Sequence, residues 1–267
     1  MSDGLRMTLW VQSCVVYSTY YHYSHQLATF PTVDWPNISV DIPGLPTLRY
    51  DEIVSFLHSF SPYADLGEAT SEQFKKLSKS AFCVLVDSFE ELEYEVIESL
   101  SNVSPIKPIG PLVKFPCGDE DSLSATDDSL KWLDTQPIGS VVYVSFGSIV
   151  VLEEKQIEEI AWGLLNSGPP FLWAIKPSIV LPMGFIKEAE VYGVGVRLGR
   201  GELNTELLSR DDVERSIFEV TRGPKSNEMK KNAMKLKKAA EEAITDGGSF
   251  QRNLQAFVED IRRLGLK

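Results

Sequence analysis

An α/β chain built on parallel sheets is what this sequence predicts, and three observations carry that expectation. Residues 140–144 (SVVYV) and 171–175 (FLWAI) are short β-branched and aromatic runs, the mark of strands buried on both faces. Between them Ile157, Ile160, Ala161, Leu164 and Leu165 recur at helical spacing over 153–166, and Gly168 stands where a helix is capped. Strand, turn, helix and strand in that order make a right-handed βαβ unit.

The other elements follow in order. Residues 9–16 read as a strand and 17–27 as an aromatic helix, whereas 30–50, with Pro31, Pro36, Pro43 and Pro46, read as a loop. Short helices are expected at 51–58 and 71–79, then a strand at 82–87 with the helix 90–100 behind it. The stretch 114–124 is acidic, Ser/Gly-bearing and without period, so a linker is placed at 114–128 between a first domain, 1–113, and a second, 129–267. The second domain opens with a short helix at 128–133 and closes with helices at 211–221, 225–245 and 249–264. Over 225–244 Lys and Glu alternate around Met229, Ala233, Leu236 and Ala240, a solvated amphipathic face.

Composition narrows the partners. The 267 residues are 43% hydrophobic and 24% charged, ordinary for a globular chain. A net charge of −12 argues against nucleic acid and against anionic membrane surfaces, both of which need a basic face. The longest apolar stretch, 141–152, is interrupted by Ser145, Gly147 and Ser148 and is too short for a bilayer, so no membrane span is expected. Nor does the start read as a signal peptide, having no basic run and no small-residue cleavage site. Three cysteines, Cys14, Cys83 and Cys117, suggest a reducing cytoplasm and no disulfide framework. His22 and His25 share a helix face but have no third ligand nearby, so aromatic packing is preferred to metal. Gly193-Val194-Gly195 has the wrong spacing for a dinucleotide fingerprint.

The candidate chemistry sits at Ser145-Phe146-Gly147-Ser148. This turn closes a strand and precedes a helix, whose free N–H groups can meet an anion. Gly147 lets the backbone approach a phosphate and Ser148 offers a hydroxyl and an amide, while Ser145 suits a cap on the strand end. A plain structural turn is the alternative, and the turn alone does not separate the two.

A resemblance weighs on that choice. Trp132-Leu133-Asp134, the run 140–148 and Phe171-Leu172-Trp173 resemble the first strands of the C-terminal domain of plant family 1 UDP-glycosyltransferases. Residues 83–93 (CVLVDSFEELE) and 106–112 (IKPIGPL) are similar to the end of that family's N-terminal domain, and Gly247-Gly248-Ser249 with Arg252-Asn253-Leu254 to its closing helix. The resemblance implies two Rossmann-like lobes of the GT-B type, both incomplete. It implies transfer of glucose from UDP-glucose to a small phenolic acid or flavonoid, with inversion. The UDP-sugar would be a co-substrate, with no cofactor and no metal. Gly147 and Ser148 would meet the donor phosphates. Gln12, Ser13, Tyr17 and Tyr20 fall where the family lines its acceptor pocket, although core packing of the aromatics is the other reading. Residues 9–14 (LWVQSC) with Tyr21-His22-Tyr23 look most like the branch that forms glucose esters of phenolic acids.

Two family features are missing. The catalytic His and its Asp are expected upstream of residue 1, so no catalytic residue is assigned. After Leu181-Pro182-Met183-Gly184-Phe185 the family's donor-binding signature does not appear, and an internal deletion is expected near 186–191. Three readings remain open at this point. The first is a transferase by descent, inactive as it stands; the second is a non-catalytic remnant or binding protein from a shortened gene or gene model. The third is an unrelated module using Ser148 for another phosphate.

Overall fold

Periodicity and capping residues account for most elements of the computed structural model, which describes residues 6–58, 64–112, 127–147, 151–175, 179–185 and 208–263. The chain divides into two compact units: Met1–Phe115 with Met234–Lys267, and Pro116–Ala233.

In the first unit, β1 (Arg6–Trp10), β2 (Ala81–Val86) and β3 (Ile106–Pro108) form a parallel sheet in the order β1-β2-β3. Leu9 pairs with Leu85 and Val84 with Ile106. Helices α1 (Cys14–Ser24), α2 (Ala64–Ser80) and α3 (Glu90–Ser101) complete the layers. The expected strand 9–16 stops at Trp10 because Ser13 caps a helix: its Oγ accepts the Val16 N–H at 3.3 Å. Residues 51–58 make two single 3-10 turns, Tyr50–Glu52 and Ser55–Leu57, parted by Ile53 in extended conformation. The loop 30–50 holds one antiparallel bridge, Val40↔Leu48. Tyr17, Phe74, Val84, Val86, Val96 and Leu100 bury together and give this unit its core.

The second unit carries α4 (Asp127–Asp134), β4 (Val142–Ser145), α5 (Glu154–Ser167), β5 (Phe171–Ala174) and α6 (Arg210–Thr221). β4 and β5 are parallel, Val142 facing Phe171 and Ser145 facing Ala174. Gly168 ends α5 at φ 87°, a left-handed conformation that suits glycine, as its position anticipated. Val142, Ile160, Ala161, Leu164, Phe171, Phe185, Val213 and Ile217 form the core.

The unit boundary falls inside α7 (Ser226–Ala243), and α8 (Ser249–Arg263) belongs to the first unit. There Lys107 pairs with Asp260 at 2.9 Å, Arg252 with Glu90 at 2.9 Å, and the Ser249 hydroxyl donates to Glu91 at 3.0 Å. The block 129–267 expected for the second domain therefore gives its last helix to the first unit. Docking partners decide a helix's place, and they are not its neighbours in the chain. The proposed linker lies outside the described residues except for 127 and 128, which stand in α4; the proposed deletion at 186–191 lies outside them altogether.

Candidate functional site

In parallel α/β sheets ligands gather at the carboxyl ends of the strands. At that end of β4 the chain turns through Gly147 at φ 68°, and among the described residues, its chain neighbours aside, no heavy atom lies within 4 Å of where a Cβ would stand. The Gly147 N–H donates to Ser145 Oγ at 3.4 Å, so Ser145 does tie off the strand. Among the described residues nothing crowds the glycine backbone here. Ser148, the other donor-side candidate, lies outside the described residues.

The helix behind this turn begins later than the sequence suggested, at Glu154. Its cap residue, Glu153, makes no side-chain cap bond, and Glu154 stands in the first turn. An acidic residue there already complements the positive helix end, so the dipole favours an incoming phosphate less than an uncharged first turn would. Below it, α5 is clamped to the start of α6. The Gln156 amide donates to the Leu208 carbonyl at 2.9 Å, and its oxygen accepts the Leu208 N–H at 2.8 Å. Glu159 accepts the Arg210 N–H at 2.7 Å and is paired with the Arg210 guanidinium, which holds its carboxyl below the usual range. Ser209 and Asp212 form a capping box on α6.

In the first unit the acceptor-side candidates part company. Gln12 is exposed in the turn between β1 and α1, and the hydroxyl of Ser13 is taken up in capping α1. Tyr17 and Tyr20 are buried in the core of this unit, with only 2% and 3% of their surfaces exposed. Both pack against Phe74, with ring centroids 4.9 and 5.5 Å away, and the Tyr17 hydroxyl bonds Ser104 Oγ at 2.9 Å. The physical reason is the rhythm of α1: residues 17 and 20 are three apart, so they share the face turned to α2. Burial pushes the Tyr20 phenol up to about 12.

One residue at this end escaped the sequence reading. Glu93, from α3, accepts the backbone N–H groups of Cys14 and Val15 at 2.9 and 3.0 Å and the Ser88 hydroxyl. No local pattern announces a contact spanning 79 positions.

The three histidines are all committed to carbonyls. His22 Nδ1 donates to Ser18 at 2.8 Å, His25 Nδ1 to Tyr21 at 2.9 Å and His58 Nε2 to Ile53 at 3.0 Å. Among the described residues no group of three His, Cys, Asp or Glu could hold a metal ion. Among them, too, no helix is long and apolar enough to cross a membrane.

Comparison with known proteins gives this geometry its context. No family model matches the chain. A strawberry (Fragaria ananassa) protein bearing a UDP-glucose glucosyltransferase name is 39% identical over 331 positions, covering 97% of this chain and 70% of that protein. Gallate 1-beta-glucosyltransferase 84A23 of pomegranate (Punica granatum) is also 39% identical, with 97% and 65% covered. The chain thus spans less than two thirds of the pomegranate protein. An alignment over 331 positions for a chain of 267 residues also leaves at least 64 positions of the strawberry relative facing nothing here. Among solved structures, Os79 of O. sativa in complex with UDP matches with TM-score 0.77 and 23% identity, covering 96% of this chain and 73% of its own. UGT2 of Phytolacca americana, complexed with UDP-2fluoro-glucose and pterostilbene, matches with TM-score 0.75 and 20% identity over 96% of this chain and 70% of its own. These likenesses give the fold, which is the GT-B type. The identity to the strawberry relative gives the kinship: this chain belongs to the plant UDP-glycosyltransferases.

Proposed function

We propose that this chain derives from an enzyme transferring glucose from UDP-glucose to a small carboxylic or phenolic plant metabolite, with inversion. The observation that carries this reading is the 39% identity, running through 97% of the chain, to a gallate glucosyltransferase. In such a reaction a base takes the acceptor's proton, the acceptor oxygen attacks the anomeric carbon, and the leaving UDP gains charge that N–H and hydroxyl groups must meet. Gly147 and Ser148 supply the diphosphate contact in this reading. On the acceptor side Gln12 is the remaining candidate, with Ser13 serving through the cap. The 64 or more unmatched positions support an internal deletion near 186–191, where the donor-binding signature is expected. We assign the chain to the cytoplasm, on its three cysteines without a disulfide pattern.

As it stands the chain transfers no sugar above background in this reading, because none of His22, His25 and His58 stands in the strand-and-turn setting of the family's catalytic base: the first lies in α1, the second caps its end, and the third follows a 3-10 turn. A missing general base alone removes a factor of about 10² or more. Incubating the purified chain with UDP-glucose and gallate or cinnamate tests this directly. Ester formation at enzymatic turnover refutes it; its absence, together with millimolar UDP binding lost on Gly147→Val, supports descent without activity.

A further inference from the structure

The turn from β1 into α1 is secured by a residue 78 and 79 positions away. An α-helix begins with four N–H groups that lack helical partners. In α1 three of them are met from outside the helical ladder: Cys14 donates to Glu93 Oε2 at 2.9 Å, Val15 to Glu93 Oε1 at 3.0 Å and Val16 to Ser13 Oγ at 3.3 Å, while Tyr17 makes the first helical bond, to the Ser13 carbonyl at 3.1 Å. Two of the four go to the two oxygens of one carboxylate, an arrangement in which charge strengthens both bonds. Ser88, buried in the loop after β2, donates to the same carboxylate and orients it. To reach this place α3 departs from helical geometry at Glu93, where φ is −135° and ψ is 35°. The remaining bonds lock the same turn: the Trp10 indole donates to the Ser13 carbonyl at 3.1 Å, and the Asp87 N–H donates to the Trp10 carbonyl at 2.8 Å.

We infer that Glu93 is a positioning residue: its carboxylate serves α1 as a built-in anion and so fixes the acceptor-side turn 11–13. The role of that turn toward an acceptor rests on the function proposed above; the anchoring by Glu93 does not. A neutral cap would satisfy one N–H group, whereas the carboxylate satisfies two and meets the positive helix end with charge. With Ser13 committed to the cap, Gln12 is the polar side chain of the turn that stays exposed. The α1 start is thereby also closed as an anion site, so in that reading this helix end does not meet an acceptor's carboxylate.

Two buried cysteines make the anchoring measurable in the full chain. Cys14 opens α1 and Cys83 lies in β2, and both are shielded from solvent. Burial raises both thiols, and the Glu93 carboxylate raises Cys14 further, so alkylation at neutral pH is slow at both. Iodoacetamide labelling, read per cysteine by peptide mass spectrometry, is compared between wild type, Glu93→Gln and Glu93→Ala. Loss of the anchor should speed Cys14 labelling about tenfold in Glu93→Ala, the scale of a lost helix cap, and less in Glu93→Gln, with Cys83 unchanged. Formate should restore Cys14 protection in Glu93→Ala, where chloride at equal ionic strength should not. Unchanged Cys14 labelling in Glu93→Ala, parallel acceleration of Cys14 and Cys83, or equal effects of chloride and formate would each overturn the inference. Calorimetric titration of the wild-type chain with gallate separately tests the acceptor reading, and its failure there leaves the labelling result standing.

Discussion

Replacing Gly163 by alanine should destabilise the second unit, against the ordinary helical preference. Gly163 lies in α5 where α6 crosses it, and an added Cβ would stand 2.6 Å from Val213 Cβ, 2.8 Å from Val213 Cγ1 and 2.8 Å from the Arg210 carbonyl oxygen. Ordinary contact begins at 3.4 Å, so the helices would have to part by about 0.8 Å. Rotation of Val213 brings no relief, because its Cβ is fixed to the backbone. Nor is the Arg210 peptide free to retreat: Glu159 holds its N–H at 2.7 Å and Gln156 holds both polar groups of Leu208. Alanine regains about 1 kcal/mol of helical propensity. Overpacking costs about 1–3 kcal/mol, and parting the helices also loosens the contacts of Val213 and Ile217 with the core. The expected net loss is about 1–2 kcal/mol. Urea unfolding followed by tryptophan emission should show a lower midpoint with an unchanged slope. A midpoint equal to or above wild type would mean that α5 and α6 do not meet at this distance, and the close packing inferred at Gly163 would be wrong.

Three further outcomes are expected. Tyr17→Phe leaves the buried Ser104 hydroxyl without its partner and should cost about 1–2 kcal/mol in urea unfolding, while leaving any gallate binding unchanged. A stronger effect on binding than on stability would return Tyr17 to the acceptor side. On raising the pH, the unfolded chain releases its cysteine protons from about 8.5 while the folded state holds them, Cys83 up to about 11 and Cys14 beyond it. Stability should therefore be intact below pH 8, fall from there as pH rises, and fall less steeply in Cys14→Ala; a flat profile to pH 10 contradicts this. Gly147→Ala meets no clash among the described residues but forces a side chain into a left-handed conformation, so about 1–2 kcal/mol is lost or the turn rearranges. UDP binding measured by calorimetry should weaken with it, and undiminished binding would remove Gly147 from the donor contact.

What the sequence by itself determined is the set of features whose causes are local. β4, α5 and β5 arise from short-range preferences: β-branched and aromatic runs for the strands, a repeating apolar face for the helix, and a glycine at φ 87° to end it. The Gly147 turn was legible for the same reason, since a left-handed backbone is adopted far more readily by glycine than by other residues. Kinship was legible too, because it is carried by runs of consecutive residues. The tertiary structure alone decided the rest. β3 is three residues long and ends at Pro108, too short for any periodicity, and is a strand only because Val84, Leu85 and Val86 stand beside it. Tyr17 and Tyr20 read as pocket lining or, preferably, as core packing, and only the packing of α2 sets Phe74 against them. α8 joins the first unit through Glu90, 162 and 163 positions from Arg252 and Asn253. Glu93 reaches α1 across 79 positions. Pairings at such separations leave no period and no motif in the chain; they form where packing brings amide and charged groups of distant segments together, and only the folded geometry settles which group meets which.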